Sequence, residues 1–95
     1  MKKENKEKLE LKEYTIDYDM FSLEEIVKII SFFELIEKIN KKKKYDKDKV
    51  IEKYKEYRSI LNNKSLEKKY DKMLLKLSNV SIYHTMKEIA GDETR

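Results

Sequence analysis

The clearest pattern in the chain is a stripe of apolar side chains after Ser22, spaced three and four residues apart. Such spacing places side chains on one face of an α-helix. The stripe consists of Ile26, Ile29, Ile30, Phe33 and Ile36, with Leu23, Val27 and Phe32 beside it. Ser22 and Glu25 have the spacing of a capping box, in which each side chain bonds the other residue's backbone N–H. The pattern predicts a helix that begins at Ser22 and runs to about Asn40.

A second stretch repeats this spacing further along the chain. Its apolar side chains are Val50, Ile51, Tyr54, Tyr57, Ile60 and Leu61. Asp46 or Asp48 can cap its start, because a carboxylate accepts a hydrogen bond from a free N–H of the first turn. Asn62 and Asn63 interrupt the pattern. We therefore predict a second helix that ends near these asparagines.

Two shorter stretches predict a third and a fourth helix, capped by Ser65 and Ser81 respectively. The inward side chains are predicted to be Tyr70, Met73, Leu74 and Leu77 in the third helix, and Ile82, Tyr83, Met86 and Ile89 in the fourth. Ser78 and Asn79 break the third helix. Gly91 offers the positive φ that commonly closes a helix, so the fourth should end there.

The segment before the first helix, residues 14–21, is the predicted strap. It is extended-looking and rich in aromatic side chains, among them Tyr14, Tyr18 and Phe21. A lid over the helical core and an exposed interaction patch would both suit these three rings. Residues 1–13 alternate Lys and Glu and are predicted to be a disordered charged arm. Residues 14–91 are predicted to form a single helical domain, and residues 92–95 a loose C-terminus.

Composition strengthens the helical interpretation. The 95 residues include one glycine and no proline, which removes most of the turn chemistry that β proteins need. Charged residues make up 44% and hydrophobic residues 39%, enough for a modest core. The sequence predicts an all-α fold: a small bundle of about four helices with an extended N-terminal strap.

Little in the sequence indicates catalysis. The chain has no cysteine and one histidine, His84, so thiolate chemistry and multi-histidine metal sites are excluded. The carboxylate pairs Asp17 with Asp19 and Glu24 with Glu25 could serve in acid–base chemistry. Such pairs arise by chance among 19 acidic residues. We predict that the protein is not an enzyme and needs no cofactor or metal.

The N-terminus leads into charge, and no window is apolar enough to span a bilayer. We therefore expect a cytoplasmic protein without a membrane partner.

The lysine loop, defined as Lys41, Lys42, Lys43, Lys44 and Tyr45, joins the first two predicted helices. Positive charge here complements the negative C-terminal end of a helix dipole, which is an ordinary structural role. The same lysines could hold a phosphate backbone while the tyrosine stacks on a base. With a net charge of +4, both interpretations stay open.

The order of helix signatures resembles uncharacterised protein family number 0223, small helical cytoplasmic proteins of low-GC Gram-positive bacteria. The matching segments are IDYDMFSLEE (16–25), FF (32–33) with Glu37, YKEYRSIL (54–61), KSLEK (64–68), SIY (81–83) and MK (86–87). The resemblance covers roughly residues 14 to 90. It implies an all-α fold and no known activity, so it assigns no functional residues.

Our functional hypothesis is a non-enzymatic interaction or regulatory module that docks on another protein through Tyr14, Tyr18 and Phe21. The alternative is weak, sequence-independent binding of RNA or DNA through the lysine loop. The sequence leaves the identity of the partner and the oligomeric state open.

Overall fold

The computed structural model of the protein describes residues 14–91. Within this range the chain forms four α-helices and no strand: α1 (Leu23–Lys42), α2 (Lys47–Leu61), α3 (Lys64–Ser78) and α4 (Ile82–Ala90). A short 3-10 turn, Tyr18–Met20, lies within the strap, and the chain returns to an extended conformation at Phe21. The predicted all-α bundle with an N-terminal strap is confirmed. The predicted charged arm (1–13) and loose C-terminus (92–95) lie outside the described residues.

The predicted capping box at the start of α1 is confirmed. The backbone N–H of Glu25 donates to Ser22 Oγ at 3.1 Å, and the Ser22 N–H donates to Glu25 Oε1 at 2.9 Å. The helix ends two residues later than predicted, at Lys42. It stops there because Lys43 adopts the left-handed conformation (φ 60°) and its N–H bonds the Ile39 carbonyl.

The capping residues predicted for α2 and α4 are confirmed, whereas the one predicted for α3 is not. The side chains of Asp46 and Ser81 accept the N–H groups of the third residue beyond them, as predicted. The prediction that Ser65 caps α3 is wrong, because Asn63 Oδ1 accepts the Leu66 N–H at 3.1 Å. Asn62 ends α2 at φ 47°, and the extended Asn63 starts α3 at once. Ser65 is left inside the first turn.

The helices pack around an aromatic and aliphatic core centred on α1. Ile29, Phe33 and Ile36 of α1 are fully buried, as are Tyr70 and Leu74 of α3. The predicted widening of the α1 stripe at Phe32 is confirmed by burial, and its ring stacks on Tyr57 with centroids 4.5 Å apart. Phe33 meets Tyr57 and Tyr70 edge-on at 5.8 and 5.9 Å. The predicted α1 stripe therefore lies in the core, where it meets aromatic side chains of both α2 and α3.

Two predicted core residues are exposed instead. Leu77 follows the buried face of α3 but lies in its last turn, and a repeat pattern gives a side chain's direction without saying how far a neighbouring helix reaches. Tyr83 is exposed because the buried face of α4 turns away from it towards Thr85, which is buried beside Met86. Both inward predictions are wrong.

Candidate protein-docking surface

The strap is tied to α3 through Asp17. Tyr70 donates its hydroxyl proton to Asp17 Oδ2 at 2.6 Å and accepts the Asp17 N–H at 3.1 Å. Lys69 Nζ lies 3.1 Å from Asp17 Oδ1. The hydrogen bond from Tyr70, followed by that from Lys69, lowers the pKa of Asp17 below its ordinary value. Burial and the bond to Asp17 raise the pKa of Tyr70 to about 12. Asp17 is therefore an anchor of the strap.

Tyr14 ties the beginning of the strap to α1. Its ring packs on Phe33 with centroids 5.1 Å apart, and its hydroxyl donates to Glu37 Oε2 at 3.0 Å. Ser78 donates its hydroxyl proton to the same carboxylate oxygen. Burial, then the hydrogen bond to Glu37, raise the pKa of Tyr14. Tyr14 therefore closes the strap over the core.

The three predicted contact residues divide between lid and surface. Like Tyr14, Phe21 is partly buried against the core, directly before the capping box of α1. Tyr18 instead stands on the 3-10 turn with 56% of its surface exposed. Of these three rings, that of Tyr18 is the most exposed to solvent. Their contact with a partner remains a prediction, and the structure allows it most directly at Tyr18.

Tyr18 belongs to a larger exposed surface that the sequence reasoning missed. We define the apolar patch as four exposed side chains: Tyr18 (56% exposed), Met20 (59%), Leu23 (78%) and Val27 (55%). All four lie within ten consecutive residues, and Leu23 and Val27 are neighbours at i and i+4 on α1. The prediction that Leu23 and Val27 lie with the buried stripe of α1 is wrong, because both side chains are exposed. The apolar patch is the main candidate docking surface.

The apolar patch lies in an acidic stretch of a basic protein. Residues 14–27 contain four carboxylates, Asp17, Asp19, Glu24 and Glu25, and no lysine or arginine, although the chain carries a net charge of +4. Asp17 is paired with Lys69, and Glu25 completes the capping box. Asp19 and Glu24 are exposed beside the patch. The surface therefore combines apolar area with carboxylates that form no ion pair within 4.0 Å with another described residue.

The lysine loop occupies the other end of α1. Lys41 and Lys42 form the last turn of this 20-residue helix, Lys43 caps it, and Lys44 and Tyr45 continue towards α2. All five side chains are exposed. At 1.5 Å per residue, about 30 Å separates the two ends of α1. The two candidate surfaces are therefore spatially distinct, and the lysines also complement the helix dipole.

Chemically reactive groupings are sparse in the described part of the chain. The exposed His84 has its ring Nδ1 3.1 Å from Ser81 Oγ, at the start of α4. Residues 14–91 contain no cluster of three side chains able to hold a metal ion. Within the same range, no helix has the length and apolarity that crossing a membrane requires. Arg58 forms an ion pair with Glu67, with Nε 3.5 Å from Oε2, and its guanidinium lies over the Tyr54 ring.

Comparison with known proteins identifies relatives along most of the chain. The family model described as Uncharacterised protein family (UPF0223) matches residues 12–95. A UPF0223 protein of Bacillus mycoides is 38% identical over 81 residues, which cover 82% of this chain and 89% of the relative. A UPF0223 protein of Bacillus cytotoxicus is 36% identical over 76 residues, covering 80% and 83%.

A more distant UPF0223 protein, from Streptococcus thermophilus, is 30% identical over 73 residues, which cover 77% of each chain. No solved structure matches the chain. The relatives come from low-GC Gram-positive bacteria, which confirms the resemblance that the helix signatures indicated. The chain belongs to the uncharacterised protein family UPF0223.

Proposed function

We propose that the protein is a non-enzymatic docking module that binds another protein through the apolar patch. The observation that carries the proposal is the exposure of Tyr18, Met20, Leu23 and Val27, each more than half accessible. Single exposed apolar residues are ordinary, but four large ones within one short stretch are typical of an interaction site. Tyrosine and methionine are also enriched at protein interfaces.

The setting of the apolar patch supports this proposal. The strap is held by Tyr14 on Phe33 and by Asp17 on Tyr70, and the capping box fixes the chain immediately after it. The backbone that carries the patch is therefore ordered before any partner arrives. Preorganisation of this kind lowers the entropy that binding must overcome.

The test is a comparison of partners captured by the tagged full chain and by its Leu23→Ser/Val27→Ser variant. Both side chains are exposed, so the variant should keep its fold and lose the partner. The matched control is Leu75→Ser/Leu77→Ser, which removes two exposed leucines from α3. Cell lysate is treated with nuclease, and recovered proteins are quantified by mass spectrometry.

A protein retained by the native chain and by the control, and lost with Leu23→Ser/Val27→Ser, would support docking through the apolar patch. If all three forms recover the same proteins in the same amounts, the patch is not the docking surface. Circular dichroism of each variant verifies that the helices are intact.

A second candidate function, binding of single-stranded RNA or DNA, rests on the lysine loop. Lys41, Lys42, Lys43 and Lys44 are exposed and form no ion pair with another described residue. Tyr45 beside them is 46% exposed, which leaves its ring free to stack on a base.

This alternative is tested by titrating a fluorescent RNA oligonucleotide at several salt concentrations. Lysine–phosphate contacts release counterions, so affinity should fall steeply as salt rises. Lys43→Glu/Lys44→Glu should abolish the signal, while Lys72→Glu/Lys76→Glu on α3 makes the same charge change elsewhere. Equal loss in both variants would indicate a diffuse charge effect and reject the loop as a site.

A further inference from the structure

We propose that the partner segment that binds the apolar patch is basic and amphipathic, with apolar side chains flanked by lysine or arginine. This inference rests on the proposed docking function. The argument comes from the charges that border the patch. Asp19 lies between Tyr18 and Met20 in the chain, and Glu24 follows Leu23. A basic segment would therefore meet carboxylates wherever its apolar side chains meet the patch.

One further carboxylate stands on the outer face of α1, one helical turn before the exposed Lys38. Glu34 lies two helical turns after Val27, on the same side of the helix. Asp19, Glu24 and Glu34 are all exposed, and none of their carboxylates forms a hydrogen bond or an ion pair with another described residue. Their charge is available to a partner.

Two lysines near these carboxylates are committed elsewhere. Lys28 follows Val27, but its Nζ lies 3.1 Å from Glu56 Oε2 on α2. Lys69 is held 3.1 Å from Asp17 Oδ1. The segment that carries the apolar patch, residues 14–27, holds four carboxylates and no lysine or arginine, although the whole chain has a net charge of +4.

The charge also disfavours other occupants. A symmetric dimer formed patch to patch would place the carboxylates of one copy near those of the other, and like charges at an interface oppose association. Nucleic acid and anionic lipid would meet the same repulsion. A basic protein segment gains both apolar burial and charge complementarity, so it is the occupant that the surface fits best.

In the experiment, the photoreactive residue p-benzoylphenylalanine replaces Tyr18 in the tagged full chain. The protein is produced and irradiated in its native cells. After irradiation, mass spectrometry identifies the crosslinked protein and maps the attached segment. The same crosslinking is repeated in Asp19→Lys/Glu34→Lys and in the control Glu52→Lys/Glu88→Lys. Both doubles change the net charge equally, and Glu52 and Glu88 are exposed on α2 and α4, away from the patch.

We expect the mapped segment to contain apolar residues flanked by lysine or arginine. Crosslinking should fall by about fivefold or more in Asp19→Lys/Glu34→Lys and change by less than about twofold in the control. A neutral or acidic segment, a second copy of this chain, or a yield insensitive to Asp19→Lys/Glu34→Lys would overturn the inference. Crosslinking to no protein at all would instead reject the docking function itself.

Discussion

Tyr70 and Asp17 lie 53 residues apart in the sequence, yet they share two hydrogen bonds across the interface between α3 and the strap. The Tyr70 hydroxyl donates to the Asp17 carboxylate at 2.6 Å and accepts the Asp17 backbone N–H at 3.1 Å. A fully buried ring thus presents a polar tip to the strap. This contact fixes the backbone next to Tyr18, and with it the position of the apolar patch.

Tyr70→Phe removes both hydrogen bonds while keeping the buried ring. We expect the free energy of unfolding to fall by about 1–3 kcal/mol, because one of the lost bonds is charge-assisted. Urea denaturation followed by circular dichroism measures the loss. An unchanged midpoint would mean that the strap contributes nothing to the stability of the bundle through this contact.

Tyr57→Phe is the matched comparison on a second buried tyrosine. The Tyr57 hydroxyl is buried and has no hydrogen-bond partner among the described residues. Burial raises the pKa of this phenol. Removing an unsatisfied buried hydroxyl should leave stability unchanged or increase it, by up to about 1 kcal/mol. If Tyr57→Phe destabilises as much as Tyr70→Phe, the hydroxyl contacts do not distinguish the two sites.

The Asp17 anchor should make stability depend on pH in the acidic range. Its pKa is lowered in the folded protein, by Tyr70 first and then Lys69, so its contribution is fully present above the unfolded-state pKa of about 3.9. That contribution is lost as the pH falls through the folded-state pKa. Asp17→Asn should be less stable than the native chain at neutral pH, and the difference should shrink below about pH 4. A constant difference, measured by urea titration at each pH, would contradict this linkage.

Lys43 ends α1 at a positive φ of 60°, a conformation that a lysine adopts at a cost. Lys43→Gly should therefore stabilise the protein by about 0.5–1 kcal/mol, since glycine enters this region without strain. Lys44→Gly removes the same charge one residue later, where φ is not positive, and should give no such gain. Thermal unfolding compares the two, and equal shifts would refute the conformational explanation.

Asn63 and Ser65 give a direct test of where α3 is capped. Asn63→Ala removes the acceptor of the Leu66 N–H and should cost about 1 kcal/mol. Ser65 is exposed within the first turn, so Ser65→Ala should change the unfolding midpoint little. The reverse order of effects would restore Ser65 as the cap.

The local chemistry of the sequence determined the number, type and most boundaries of the helices. Each capping side chain accepts a hydrogen bond from a backbone N–H only three residues away, so its role can be inferred without knowing the fold. This holds for Ser22, Asp46 and Ser81. The three-and-four spacing of Ile26, Ile29, Phe33 and Ile36 likewise indicated the buried face of α1, although Leu23 and Val27 beside it are exposed. The cap of α3 was misplaced because Asn62 and Asn63 form two adjoining caps with no longer loop between them.

Tertiary structure alone decided which strap rings serve the core and which face solvent. Tyr14 lies on Phe33, and Tyr18 points outward, because Asp17 between them is held by Tyr70 of α3. That position depends on how far α3 stands from α1, a distance that no local repeat encodes. The predicted burial of Leu77 was wrong for a related reason, since a periodic pattern gives the direction of a side chain but not how far a neighbouring helix reaches. The predicted burial of Tyr83 was wrong because packing turned the buried face of α4 towards Thr85 and Met86. The apolar patch and its acidic border are therefore visible in the sequence as residues, and become a surface only through long-range contacts.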